Sequence, residues 1–370
     1  MLTAGLIYFS LLFTSLFCAY KYKSYDYNYN LKRYEVNEPT FVVILITVFI
    51  ILISSFRDSV GVDYESYFNL YNNYKGTDLN FWLFNEYGFH LFIISGIYLG
   101  YSAVWMFFFS SLISWGVLLK KISPSLLLFV ILFLILDEKL FWSFNGVRQW
   151  IAVCFFTLTI KYLSEDKYKF FILFTFLGSL FHTSILYLLP IVLLFNKISQ
   201  LNIYKYRNII IIIYLFTMFI GTKESILSYI NNSTISLGQT FDALKYYSRH
   251  AELGRILNQS SEVGFGFWIK RVLDLLLIIQ VFKLKDRTIT LSVLLFLFGT
   301  VFFNLFYSVQ VLLRISIYFL IFRSFLWGYV FYKFKNKNFI NNLVLFLYMI
   351  LFVIAFVKGS NACCPYKFIF

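Results

Sequence analysis

Long apolar runs separated by short polar clusters set the pattern of the chain. Runs long enough to cross a bilayer, or nearly so, lie at about 2–20, 41–56, 102–119, 124–137, 141–163, 207–221, 266–282, 288–305, 309–332 and 339–357. A helix needs about 20 apolar residues for a full crossing, and about 17 suffice in places. Two further stretches are ambiguous. Residues 87–101 carry Gly88, His90, Ser95, Gly96 and Gly100, and residues 168–195 carry Gly178, His182, Thr183, Ser184 and Pro190 within one apolar run. Both read as re-entrant or broken segments. Two polar insertions, 57–86 and 222–265, interrupt the pattern, and neither an internal repeat nor a soluble domain is visible. The predicted fold is all-α, a polytopic membrane helix bundle of about 10–12 segments forming one domain over residues 1–370.

Composition strengthens this reading. Hydrophobic residues make up 60% of the chain and aromatics 23%, while charged residues fall to 14% and mean hydropathy is +0.75. Ordinary soluble domains are about 45–50% apolar and about 25% charged, and their interiors cannot hide so much apolar surface. Soluble enzymes, disordered chains and disulfide scaffolds are thereby excluded. The run Leu2–Tyr20 lacks a positively charged leading region and reads as a retained membrane helix. Cys18 and Cys154 sit inside apolar runs, and the adjacent Cys363 and Cys364 have no second pair with which to build a zinc site.

The net charge of +14 would by itself suit a nucleic-acid binder. In so apolar a chain it instead reports orientation, and no nucleic-acid partner is expected. With both ends placed outside, the cytoplasmic loops are 21–39, 120–123, 161–169, 196–207, 283–287 and 333–338. They carry 18 basic and six acidic residues, a net +12 of the total +14. That placement, which treats 87–101 as re-entrant, is consistent with the positive-inside rule; a simple alternating count through 87–101 would instead put Lys120 and Lys121 outside.

Charged side chains at the centre of a spanning helix cost about 2.5–3.5 kcal/mol, so each is a functional candidate. Directly after the second run, Arg57, Asp58, Asp63 and Glu65 stand beside Tyr64 and Tyr67. Aromatic faces and carboxylates suit sugar binding, and a carboxylate can deprotonate a hydroxyl. An ordinary solvated loop is the alternative. Next, Asn145 is placed to cap a helix running to about residue 163, with Arg148 and Gln149 in its first turn. There a cation opposes the helix dipole and invites an anion such as phosphate. The competing reading is a snorkelling arginine.

His182, Thr183 and Ser184 interrupt the run 168–195 midway, which points to a helix break bearing a group that titrates near neutrality. A hydrogen-bonded core histidine is the other option. Arg314 lies a few residues into the run 309–332, with Tyr318 one turn on, while Arg323 falls about 180° around the helix and reads as structural. Lys270, Arg271 and Asp274 are spaced to pair with one another. Glu86 and His90 flank the ambiguous segment, and the long insertion adds Lys245, Arg249, His250, Arg255 and Glu262. No Walker motif, Gly-rich phosphate loop or metal-spaced cluster is present, so no cofactor and no metal are expected. Any energy source must lie in the substrate or in an ion gradient.

In this order the groups resemble the EpsG family of bacterial membrane proteins, grouped with Wzy-type polysaccharide polymerases. The matching pieces are Phe56-Arg57, Gly61-Val62-Asp63-Tyr64 and Tyr67, and Glu86 with Gly88-Phe89. They continue with Arg148-Gln149 and Ala152, Phe181-His182-Thr183-Ser184 with Pro190, Arg314-Ile315 with Tyr318-Phe319, and the closing Pro365-Tyr366-Lys367-Phe368. The resemblance implies a glycosyltransferase of the bacterial cytoplasmic membrane with its active site facing outward. It would join undecaprenyl-pyrophosphate-linked oligosaccharide repeats into exopolysaccharide, capsule or O-antigen. Its partners would be that lipid-linked glycan, membrane lipid, and a chain-length regulator and flippase of the same pathway.

On this view Arg57, Arg148 and Arg314 would hold the departing pyrophosphate, and Asp63 or His182 would be the base. Asp58, Glu86, Tyr64, Tyr67, Gln149, Thr183, Ser184 and Tyr318 would contact substrate. A polysaccharide ligase of similar chemistry and a lipid-linked oligosaccharide flippase are the alternatives.

Overall fold

The structure, a computed structural model, describes residues 1–23, 38–74, 86–118, 122–220, 264–284, 289–307, 310–334 and 339–369, with isolated residues 232, 233, 236 and 286. Almost all of the insertion 222–265 lies outside these residues, including Lys245, Arg249, His250, Arg255 and Glu262, as do Lys120 and Lys121. Among the described residues sixteen α-helices run in order: α1 Leu2–Lys21, α2 Glu38–Ser55, α3 Tyr64–Asn72, α4 Tyr87–Tyr98, α5 Val104–Leu118, α6 Pro124–Leu136, α7 Lys139–Ser143, α8 Val147–Ser164, α9 Tyr168–Ser179, α10 Ser184–Tyr187, α11 Leu189–Ser199, α12 Arg207–Ile220, α13 Phe265–Leu284, α14 Thr290–Leu305, α15 Gln310–Lys333 and α16 Phe339–Val357. No strand forms among the described residues. Among the described residues, five helical stretches are long and apolar enough to cross a membrane: α1, α2, Ile203–Ile220, Leu313–Lys333 and α16. The protein is an all-α, multi-pass membrane protein.

Contacts divide the chain into two compact units, one of residues 1–192 and 324–370, the other of residues 193–323. At the centre of the first unit is α6. Ser123 precedes it and Pro124 opens its first turn, where a missing N–H costs nothing. The helix is apolar on every face, as a core helix or a membrane span is. All of its residues but Leu126 are buried, against α1, α2 and the aromatic cluster of Trp327, Phe331 and Tyr348 around Phe133. In lipid such packing gains little from leaving water, so it rests on van der Waals fit and internal hydrogen bonds. The other heavily buried helix is α8, packed between α5 and α9.

The second unit holds α12, α13, α14 and the first part of α15. Exposed Ile209, Ile212, Ile213, Phe216 and Phe219 line α12 at helical spacing, as expected of a lipid-facing stripe. Within this unit Arg323 grips Asp274 with two hydrogen bonds, Nε to Oδ1 at 2.6 Å and Nη2 to Oδ2 at 2.8 Å. Arg271 lies 3.6 Å from the same carboxylate and is sandwiched between the rings of Phe267 and Phe303. The expected Arg271–Asp274 pair is therefore present, but Arg323 holds the stronger claim on the acid.

Three sequence expectations change in detail. The run 141–163 is not continuous: it breaks at residues 144–146, between α7 and α8. Asn145 is not the cap of α8; Gly146 holds that position, and the Asn145 side chain serves a tertiary role described below. Insertion 57–86 is partly helical, because α3 occupies residues 64–72. The break in 168–195 falls as expected, with residues 180–183 separating α9 from α10. Segment 87–101 yields α4, whose 12 residues are too few for a full crossing.

Candidate active site

Two glycines bring the first site together. A Cβ on Gly88 would meet the Phe181 ring at 3.0 Å and the Leu180 carbonyl at 3.1 Å. Without one, the Gly88 N–H donates to that carbonyl at 2.8 Å, docking the start of α4 on the break after α9. Gly61 has φ of +106°, which disfavours any side chain, and a Cβ there would meet Asn145 Oδ1 at 3.0 Å. The loop after α2 is thereby held against the α7–α8 corner.

At the first contact sits Glu86, the residue preceding α4, with its side chain only 4% exposed. Its Oε2 accepts a hydrogen bond from Arg148 Nη1 at 2.6 Å, and its Oε1 accepts one from His182 Nδ1 at 2.5 Å. An ionised carboxylate can only accept, so the Nδ1 of His182 carries the proton. In the neutral imidazole Nε2 is then the lone-pair nitrogen; it has no partner among the described residues, on a side chain 30% exposed. The Arg148 guanidinium lies 5.9 Å from the Tyr67 ring centre and 5.8 Å from that of Phe89. Its Nε is buried and makes no hydrogen bond among the described residues.

Arg57 is the second arginine near this site and is held quite differently. It is 2% exposed, and its guanidinium sits 4.8 Å from both the Phe107 and Phe144 ring centres. Among the described residues no carboxylate pairs with it, and its Nε has no partner. Burial pushes the Arg57 guanidinium down to about 10, which leaves it cationic at neutral pH.

The chain terminus braces the Arg57 loop. Asp58 N–H donates to Lys367 O at 2.9 Å and Ile369 N–H to Phe56 O at 3.0 Å, forming an antiparallel bridge between Arg57 and Phe368. Gly61 N–H donates to Ala362 O, and the Tyr366 hydroxyl to Ile53 O at 2.6 Å. Asn145 completes the joint. Its Oδ1 accepts from Val62 N–H at 2.5 Å, and its Nδ2 donates to Asn361 O at 3.3 Å.

The structure thus gathers Glu86, Arg148, His182 and Tyr67, with Arg57 and Tyr64 nearby in the same unit. Tyr64 is buried and stacks on Phe107. Asp63 precedes α3, half-buried, and caps it without a side-chain hydrogen bond. Asp58 accepts a hydrogen bond from the Ser59 hydroxyl at 3.2 Å. Gln149 is buried on α8, while Thr183 and Ser184 are half-buried where α10 begins. Arg314 and Tyr318 belong to the second unit, Arg314 exposed and Tyr318 fully buried. No group of three or more His, Cys, Asp or Glu able to hold a metal gathers among the described residues.

Sequence reasoning did not single out Ser110, Ser114, Ser143 or Trp150, which line a cavity beside Arg57. The four-residue spacing of Ser110 and Ser114, one face of an otherwise apolar α5, is the signal that could have found them.

The fold and site define a polytopic helical membrane protein with a buried carboxylate joining a histidine to an arginine. A model of the EpsG family matches residues 40–368, nearly the whole chain, and the protein belongs to that family of Wzy-like polymerases. Neither curated proteins nor solved structures give a match. Family and membrane helices together make the chain a membrane polysaccharide polymerase in general class.

Proposed function

We propose that the protein polymerises oligosaccharide repeats carried on undecaprenyl pyrophosphate, at the outer face of the bacterial cytoplasmic membrane. The observation that carries this reading is the Glu86 carboxylate shared by His182 and Arg148. A hydroxyl of the acceptor sugar gives its proton to His182 Nε2 as its oxygen attacks the anomeric carbon of the donor chain. The new glycosidic bond forms as the bond to the pyrophosphate breaks, and that bond's electron pair leaves on undecaprenyl pyrophosphate. Glu86 keeps His182 in the tautomer with Nε2 free and offsets the imidazolium that results. Arg148 then faces the developing phosphate charge. No nucleotide is required, because the pyrophosphate is already a leaving group.

Between the two candidate bases, geometry favours His182 over Asp63, since a neighbouring carboxylate orients it. The test is deletion of the gene, complementation with His182→Ala, and sizing of the lipid-linked glycans. Accumulated single repeats with the protein inserted in the membrane are expected. Accumulated long chains would identify a ligase, and normal polymer would refute the role of His182. A flippase predicts repeats trapped on the cytoplasmic leaflet.

A further inference from the structure

Beside Arg57, α5, α7 and α8 enclose a partly open cavity of about 10 Å³, at the threshold for one water-sized guest. Its polar lining is unusual for its hydrogen bonding. Ser114 and Ser143 commit their protons to the carbonyls of Ser111 and Leu140. Three other groups keep a proton with no acceptor among the described residues: Arg57 Nε, Ser110 Oγ and Trp150 Nε1. Each of these residues is 2% exposed. Unmet donors that deep are costly, and here one of them belongs to a cation that no carboxylate among the described residues answers. The flanking rings of Phe107 and Phe144 offset only part of the desolvation of that charge. A water would accept from two of the donors but leave the charge uncompensated. An anionic oxygen meets both demands.

We propose that this cavity is a subsite for one phosphoryl oxygen, received by Arg57, Ser110 and Trp150. The volume admits a single oxygen and not a whole phosphate, so the phosphorus stays at the mouth. Two arginines then divide the work: Arg57 receives the phosphoryl oxygen, and Arg148, paired with Glu86 beside the base, faces the charge that develops on the phosphate. The polymerase reading supplies the physiological ligand, a lipid pyrophosphate, but the cavity's chemistry stands without it.

The experiment is calorimetric titration of inorganic pyrophosphate into the full-length protein in phosphatidylcholine nanodiscs. Saturable binding is expected, weakened at least tenfold by Arg57→Gln and several-fold by Ser110→Ala and by Trp150→Phe, which keeps the ring and removes the N–H. The last two variants decide the matter if Arg57→Gln does not fold. A second arm uses phosphatidylglycerol nanodiscs. Weaker pyrophosphate binding there in wild type, but not in Arg57→Gln, would identify an anionic lipid headgroup as a competing source of the same oxygen. No saturable binding in either lipid, or binding lost in Arg148→Gln and untouched by the three cavity variants, overturns the proposal. His182→Ala separates the two readings, since it should stop polymerisation and leave pyrophosphate binding intact.

Discussion

Replacing Glu86 by Gln tests the centre of the proposed mechanism. The amide is close to isosteric, so its oxygen can still accept from Arg148 Nη1, now 2.6 Å from Glu86 Oε2. Its nitrogen then faces His182 Nδ1, 2.5 Å from Glu86 Oε1. An amide nitrogen only donates, so Nδ1 must become the acceptor and the imidazole proton moves to Nε2. The base is lost although its position is kept. Wrong-tautomer substitutions of this kind lower turnover by about 10³–10⁴-fold, equivalent to about 4–5.5 kcal/mol of barrier. Arg148 meanwhile loses its counter-charge and presents more positive charge to the pyrophosphate. KM for the lipid-linked donor should therefore stay level or fall while kcat collapses.

Glu86→Ala should behave otherwise. It strips a buried ion pair of one partner and costs about 3–5 kcal/mol of stability. The assay is transfer between purified lipid-linked repeats in nanodiscs, with the amount of inserted protein measured alongside. A Glu86→Gln kcat within about threefold of wild type would sink the reasoning. So would an equal drop on adding Glu86→Gln to a His182→Ala background, because a residue acting through His182 has nothing left to orient there.

Truncation after Lys358 removes the segment that bridges Arg57, and should abolish polymer while the protein still inserts; complementation with polymer sizing checks it. Gly88→Val should part α4 from the break that carries His182, given the 3.0 Å approach of Phe181, and lower turnover at least tenfold in the transfer assay. In the second unit, Asp274→Ala removes the carboxylate that the buried Arg271 and Arg323 share. A loss of about 3–5 kcal/mol is expected, read as a lower Tm in detergent, and an unchanged Tm would show that the cluster carries no stability. Val62 is 69% exposed beside the site loop, so Val62→Cys, in a variant with its four native cysteines replaced by Ser, should react with an impermeant thiol reagent from the outer side only.

The break at His182 was legible because three polar residues in the middle of an apolar run are a local signal, and helix continuity is decided locally. The start of α8 was legible too, since Asn145 reads as a cap one residue from the Gly146 that holds the position, but the short α7 before it was not, because residues 141–163 read as one hydrophobic stretch. Nor was the tertiary role of Asn145 legible. Its type suits a helix cap, but the partners it finds are Val62, 83 residues before it, and Asn361, 216 residues after it. The serines of α5 were passed over for a similar reason, as small hydroxyls in a membrane helix are most often satisfied by their own backbone.

Run length and residue type by themselves determined that this chain is a bundle of membrane helices, because solvation of a segment by lipid depends on its own composition. They also determined which polar residues are too costly to be incidental. Tertiary structure alone decided their partners. Glu86 and His182 are 96 residues apart in the chain and share a short hydrogen bond, while Arg57 and Arg148, alike in sequence, differ in whether a carboxylate answers them. A charge's role depends on what lies within a few ångströms of it, since Coulomb energy and hydrogen bonding act over distance in space and are blind to distance along the chain.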